Sequence, residues 1–298
     1  MIQKNKFRSL LFMLNIFCIF LSDCTSATPP VVTTTPTASK NAELVTGTAN
    51  PPTLTLPFMD IPETHMTLPS GLRIDEYALK TRPTGEPLVF EPIRGSREEI
   101  LAKHATERQR TLQNYSCLTS LYYEKSILLD GKMLIARQIE SGTKTSIHHP
   151  LSIEIVLDGK TIYRMSAGVV DPSGGLQRLC TYGKNKHWAF EVADVEVSPS
   201  HTIVGKVVQD GKLLNEQFNN QEMFGFQVFQ DKPFYFFKRN DYIGISYDGQ
   251  ETLLDYADVP HYNCCSLAVM DPDLAQNMVA FFARKHGAWY YVEIGVYQ

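Results

Sequence analysis

The run Lys232-Pro-Phe-Tyr-Phe-Phe-Lys238, with the turn Arg239-Asn240-Asp241 and the return Tyr242-Ile-Gly-Ile-Ser-Tyr247, decides the fold class. Aromatic and β-branched residues suit a pleated surface. A short polar turn between two such runs is the signal of a hairpin. The form recurs as Val279-Ala-Phe-Phe-Ala-Arg284, turn Lys285-His-Gly-Ala288, and Trp289-Tyr-Tyr-Val-Glu-Ile294. Residues 224–298 therefore read as hairpin, link, hairpin. Leu274, Met278, Phe281 and Phe282 also fit the period of a helix over 272–285, but a turn followed by a hairpin is the preferred reading.

Upstream the pattern continues. Asp-Gly stands at 130–131, 158–159, 210–211 and 248–249, and such pairs accept the positive φ of two-residue hairpin turns. They punctuate the strand-like runs 133–137, 151–157, 161–165, 187–192, 202–208 and 223–229. One helix stands out. Ser96-Arg-Glu-Glu99 is a capping box and predicts a helix over 97–112, on which His104 reads as a packed or solvent-facing residue. The expected fold is mainly β. Its antiparallel hairpin repeats form a propeller-like array or a twisted sheet or sandwich, with one N-terminal helix, over 96–298. Residues 58–95, rich in Pro and Gly, read as an irregular lead-in with a short strand near Glu76–Leu79.

The chain of 298 residues carries a formal net charge of -4, so nothing in its balance favours nucleic acid as a partner. Lys4, Lys6 and Arg8 precede the apolar run Leu10–Leu21, which is too short to span a bilayer comfortably. It has the build of a signal peptide ending near residue 24. Residues 25–57, rich in Thr and Pro, read as a tether. An extracytoplasmic body follows, secreted or anchored, with membrane contact only through this leader or a lipid. Four cysteines lie beyond the leader, Cys117, Cys180, Cys264 and Cys265. An even number in an oxidising compartment permits disulfides of undetermined connectivity. Cys264 and Cys265 are expected to point to opposite faces of an extended segment and to reach different partners. Asn114-Tyr-Ser116 is an acceptor pattern for N-glycosylation.

Three stretches of the chain resemble known families. Leu21-Ser-Asp-Cys24 resembles a bacterial lipoprotein processing site, which implies lipidation of Cys24; Asp23 stands where that pattern has a small residue. Asp271-Pro-Asp273, Met278–Lys285 and Gly287-Ala-Trp-Tyr-Tyr-Val292 resemble the blade signature of TolB-type, WD40-like periplasmic propellers. Polar turns before Trp188, Tyr235 and Trp289 repeat at about the period of a blade. Residues 112–155 also resemble, in strand pattern, the large curved antiparallel sheets of lipoprotein carriers.

Chemistry is sparse. No phosphate loop, dinucleotide fingerprint, zinc pattern or nucleophile elbow stands in the sequence, so neither a cofactor nor a metal is expected. The candidate catalytic group is His261 with Asp255 or Asp258, an imidazole beside a carboxylate being the usual acid–base pairing. The candidate ligand-binding rings are Trp188, Tyr235, Trp289 and Tyr291, which could stack on a sugar or peptide. The leading expectation is a non-catalytic binding or structural module for a cell-surface, peptide or carbohydrate ligand. Its alternatives are a carrier of an apolar or acyl ligand and a secreted hydrolase.

Overall fold

The structure, a computed structural model, describes residues 64–84, 89–108, 117–119, 124–142, 149–197 and 201–296. The leader, the tether, Cys24 and Asn114 lie outside them. Strands β1 (Thr64–Thr67) and β2 (Arg73–Ala78) precede helices α1 (Arg97–Lys103) and α2 (Ala105–Arg108). Then come β3 (Cys117–Thr119), β4 (Glu124–Leu129), β5 (Lys132–Glu140), β6 (Pro150–Leu157) and β7 (Lys160–Val169). They are followed by β8 (Gly175–Tyr182), β9 (His187–Glu196), β10 (Thr202–Gln209), β11 (Lys212–Leu213) and α3 (Leu214–Gln217). The chain continues through β12 (Glu222–Phe229), β13 (Lys232–Arg239), β14 (Tyr242–Tyr247) and β15 (Gln250–Leu254). After a 3-10 turn at Cys265–Met270, β16 (Asp273–Leu274), β17 (Met278–Lys285) and β18 (Ala288–Gly295) complete it.

These strands make three sheets. The first runs β1-β2-β18-β17-β16, and the last runs β12-β13-β14-β15. Between them in sequence lies a nearly closed barrel. The meander β4-β5-β6-β7 touches the end of β9 through Gly168 and Val195, and β8 pairs with the rest of the same edge of β9. Lys125 on β4 donates from Nζ to the carbonyls of Leu176 (2.9 Å) and Gln177 (2.8 Å) at β8, drawing the two ends of the wall together. Inside, Leu134, Ile153, Ile155, Leu179, Phe190 and Val192 fill one apolar cluster.

This architecture corrects the propeller reading. A propeller repeats one four-stranded blade around an axis, whereas here a near-barrel and two separate antiparallel sheets stack face to face. The repeated aromatic strands arise because separate sheets each need an apolar face, not because a blade is duplicated. The expectation of one helix is also corrected. The capping box forms as written, with Glu99 N–H donating to Ser96 Oγ at 3.1 Å and Ser96 N–H to Glu99 Oε2 at 2.8 Å. The helix breaks at His104, and two further short helical turns follow. The stretch expected as an irregular lead-in holds β1 and β2, and β2 pairs on both sides.

The aromatic strands are buried on both faces, the signature of a sheet covered twice. Phe234 and Phe236 of β13 pack on the five-stranded sheet, where Phe236 meets Phe281 edge-on at 5.0 Å. Tyr235 and Phe237 point the other way, to Cys180, Tyr182 and Val207 of the barrel wall. The five-stranded sheet is covered in turn by α1 and the segment around Phe90, whose ring stacks on Tyr291 at 4.7 Å. The layers run helix, five-stranded sheet, four-stranded sheet, barrel. Cys117 and Cys180, at directly paired positions of β3 and β8, form a buried disulfide.

Candidate functional site

On the five-stranded sheet, His65, Asp75 and Glu293 fall in one row across three strands, because His65 pairs with Asp75 and Asp75 with Glu293. Residues directly opposite in a ladder share a face, so two carboxylates are forced side by side. That face is the one α1 covers. Ile100 anchors the helix in the apolar cluster with Tyr77 and Tyr291, and the chain leaves helical geometry at its C-cap, His104 (φ −122, ψ 30). This break drops the imidazole onto the carboxylate row.

The result is a compact donor set. His104 Nε2 stands 2.7 Å from Asp75 Oδ2 and 3.4 Å from Glu293 Oε2. One ligand atom each from Asp75, His104 and Glu293 lies within 4.8 Å of the others, and all three residues are buried. His65 Nδ1 (2.6 Å) and Arg73 Nε (3.1 Å) both reach Asp75 Oδ1 from the exposed edge. Glu293 Oε1 accepts from Tyr291 OH at 3.1 Å and pairs with the Arg108 guanidinium, which also donates to the Ile100 carbonyl at 3.0 Å and so ties α2 back to α1. Glu293 Oε2 accepts no hydrogen bond among the described residues although it is buried. Such an oxygen costs free energy unless something completes it.

The electrostatics follow from burial. Burial lowers the pKa of His104, with Lys103 and Arg108 acting the same way, and together they outweigh the opposing pull of Asp75. The imidazole is therefore neutral at neutral pH, the form that ligates a metal. For Asp75, burial alone would raise the pKa; the hydrogen bonds from His65, His104 and Arg73 outweigh it and hold the carboxyl below its usual range. The set thus offers an ionised carboxylate and a neutral imidazole to whatever replaces the proton between them.

A second polar cluster lies between the barrel and the four-stranded sheet. The β12–β13 register shifts between Phe224 and Gln227, which frees two backbone donors, Gly225 N–H and Phe226 N–H. They donate to the carboxylate of Glu191 on β9 at 3.1 and 2.7 Å, and Tyr262 OH adds a third bond at 2.6 Å. Beside it His261 donates from Nε2 to Glu222 Oε1 (3.1 Å) and from Nδ1 to the Val259 carbonyl (2.6 Å), while stacking on Phe224 at 3.7 Å. Both ring nitrogens face acceptors, an arrangement that favours the protonated ring. Burial opposes that charge, but the bond and charge of Glu222 prevail and raise the His261 pKa. Its bonds to both partners make the ring a bracket between β12 and the segment after β15.

The residues singled out in the sequence fall as follows. His261 pairs with Glu222 instead of Asp255 or Asp258. Asp255 faces Lys285 (3.9 Å) and His286 (3.4 Å) at the surface, and Asp258 exchanges backbone bonds near Arg284. Trp188, Tyr235 and Tyr291 are buried, and Trp289 is half-buried with Arg82 over its ring at 5.6 Å. Cys264 and Cys265 form no disulfide among the described residues, and both are exposed. The donor set itself escaped the sequence: Asp75 and Glu293 are 218 positions apart, and His104 stood inside the helix expected over 97–112 as a packed or solvent-facing residue. No family model and no curated protein matches this chain.

Proposed function

We propose that the chain is an exported hydrolase that works through a divalent cation held by Asp75, His104 and Glu293. The observation that carries this reading is the buried, incompletely bonded oxygen Glu293 Oε2 beside a neutral imidazole and an ionised carboxylate. Two oxygens and one nitrogen suit a borderline or hard ion such as Zn²⁺ or Mn²⁺. A cation held by these three side chains would act as a Lewis acid and, as zinc does, would lower the pKa of a water bound to it. The ligands sit on paired strands and a helix end, which hold geometry better than loops. Tyr291 and Arg108 orient Glu293, and His65 and Arg73 orient Asp75, as outer partners of metal ligands do.

The burial of Trp188, Tyr235 and Tyr291 takes support from the ring-based binding module, and the side chains filling the barrel take support from an acyl carrier. Secretion and attachment through Cys24 remain part of the proposal on the strength of the leader alone.

The test is hydrolysis of small ester, phosphoester and peptide substrates by the full chain. Activity on one class should vanish after chelation, return with Mn²⁺ or Zn²⁺, and fail to return in Glu293→Gln. A metal-loaded protein inert toward all three classes would overturn the hydrolase reading.

A further inference from the structure

Adjacent cysteines in an extended segment point to opposite faces. At Cys264 and Cys265 the chain does the reverse. Cys264 is extended, but Cys265 takes a left-handed conformation with φ +59. This rotates the two side chains to one side, and the sulfurs lie 3.1 Å apart. A non-glycine residue with positive φ is uncommon and is held there only by its surroundings. The restraint is visible. Asn263 donates from its backbone N–H (3.1 Å) and from Nδ2 (2.6 Å) to Asp271, clamping the base of the loop, and Leu267 N–H donates to the Cys264 carbonyl at 3.2 Å. Both thiols are exposed.

We propose that Cys264 and Cys265 form an oxidisable vicinal dithiol, whose co-reactant is a disulfide in the surrounding medium. One thiolate attacks a sulfur of that disulfide, forming a mixed disulfide and releasing one thiol. The neighbouring thiolate then attacks the protein sulfur of the mixed disulfide and expels the second thiol. The protein pair loses two electrons and two protons, and the small disulfide gains them. Closing a ring across a single peptide bond departs from ordinary disulfide geometry, so the product is exposed and readily reduced. Exposed and strained disulfides are the labile ones, and buried ones are the structural ones. Cys117–Cys180 is of the second kind. The chain therefore carries one permanent and one reversible sulfur pair.

The experiment treats the reduced, full-length protein with oxidised glutathione and maps cysteine-containing peptides by mass. The expected product is a peptide holding both Cys264 and Cys265, lighter by two hydrogens and without a glutathione adduct. Mild dithiothreitol on the native protein should reopen it while Cys117–Cys180 stays closed. In Cys265→Ser the second step has no thiolate, so a glutathione adduct should accumulate on Cys264. Stable adducts on both cysteines of the wild-type chain, cross-links between chains through either sulfur, or no reaction at either would each overturn the proposal.

Discussion

Glu191 shows how one side chain can hold two layers together. Its carboxylate takes the donors that the bulge in β12 leaves unpaired and a tyrosine from the segment after β15. Removing one partner of a buried charged network strands the others. Glu191→Ala should therefore cost about 3–5 kcal/mol, read from urea midpoints at constant m-value. Gly225 belongs to the same device: its φ is +63, and an added Cβ would lie 2.9 Å from the Phe236 ring. The His261–Glu222 bracket makes a pH prediction. The His261 pKa is raised above its ordinary 6.5, so its stabilisation is complete below that value and is lost as pH rises through the folded value. Glu222, lowered below its ordinary 4.5 because His261 outweighs the effect of burial, loses its share as pH falls through its own folded value. Stability measured against pH should fall on both sides of this window, and His261→Gln should flatten the alkaline limb. None of this was legible in the sequence, where His261 stands nearest Asp255 and Asp258 and Glu222 is 39 residues away.

At the scale of elements the sequence was far more readable. Turn residues and capping boxes act through neighbours in the chain, so the hairpins over 232–247 and 279–294 and the start of α1 stand where local chemistry puts them. The Asp-Gly turns adopt positive φ at both residues, as at Asp130 (48°) and Gly131 (76°). What local chemistry does not encode is which face of a strand is covered. The four consecutive rings Phe234–Phe237 have no alternation because both faces are buried, and the same run would serve an exposed binding face equally well. Ser96→Ala should cost about 1 kcal/mol by loss of the cap, measured by denaturation. Phe236→Ala, which opens a cavity against Phe281 in the doubly covered layer, should cost about 3–5 kcal/mol. A difference in that order would show that stability resides in the layers and not in the helix ends.

Across the whole molecule the stacking of layers creates the site. A carboxylate row on one sheet tolerates burial only when another layer brings it partners, and here α1 and α2 bring His104 and Arg108. The row was hidden in the sequence because β2 and β18 come from opposite ends of the chain and meet only through ladder pairing. The most direct measurement is a calorimetric titration of Mn²⁺ into the full chain. It should use a Cys264→Ser, Cys265→Ser background so that no exposed thiol competes. Saturable binding at one site is predicted, with proton release that grows as pH is lowered, and thermal stabilisation of about 2.7 kcal/mol at a hundredfold excess over Kd. It should be absent in Glu293→Gln. Titration heats that never saturate, or binding unchanged in Glu293→Gln, would contradict a metal centre at Asp75, His104 and Glu293.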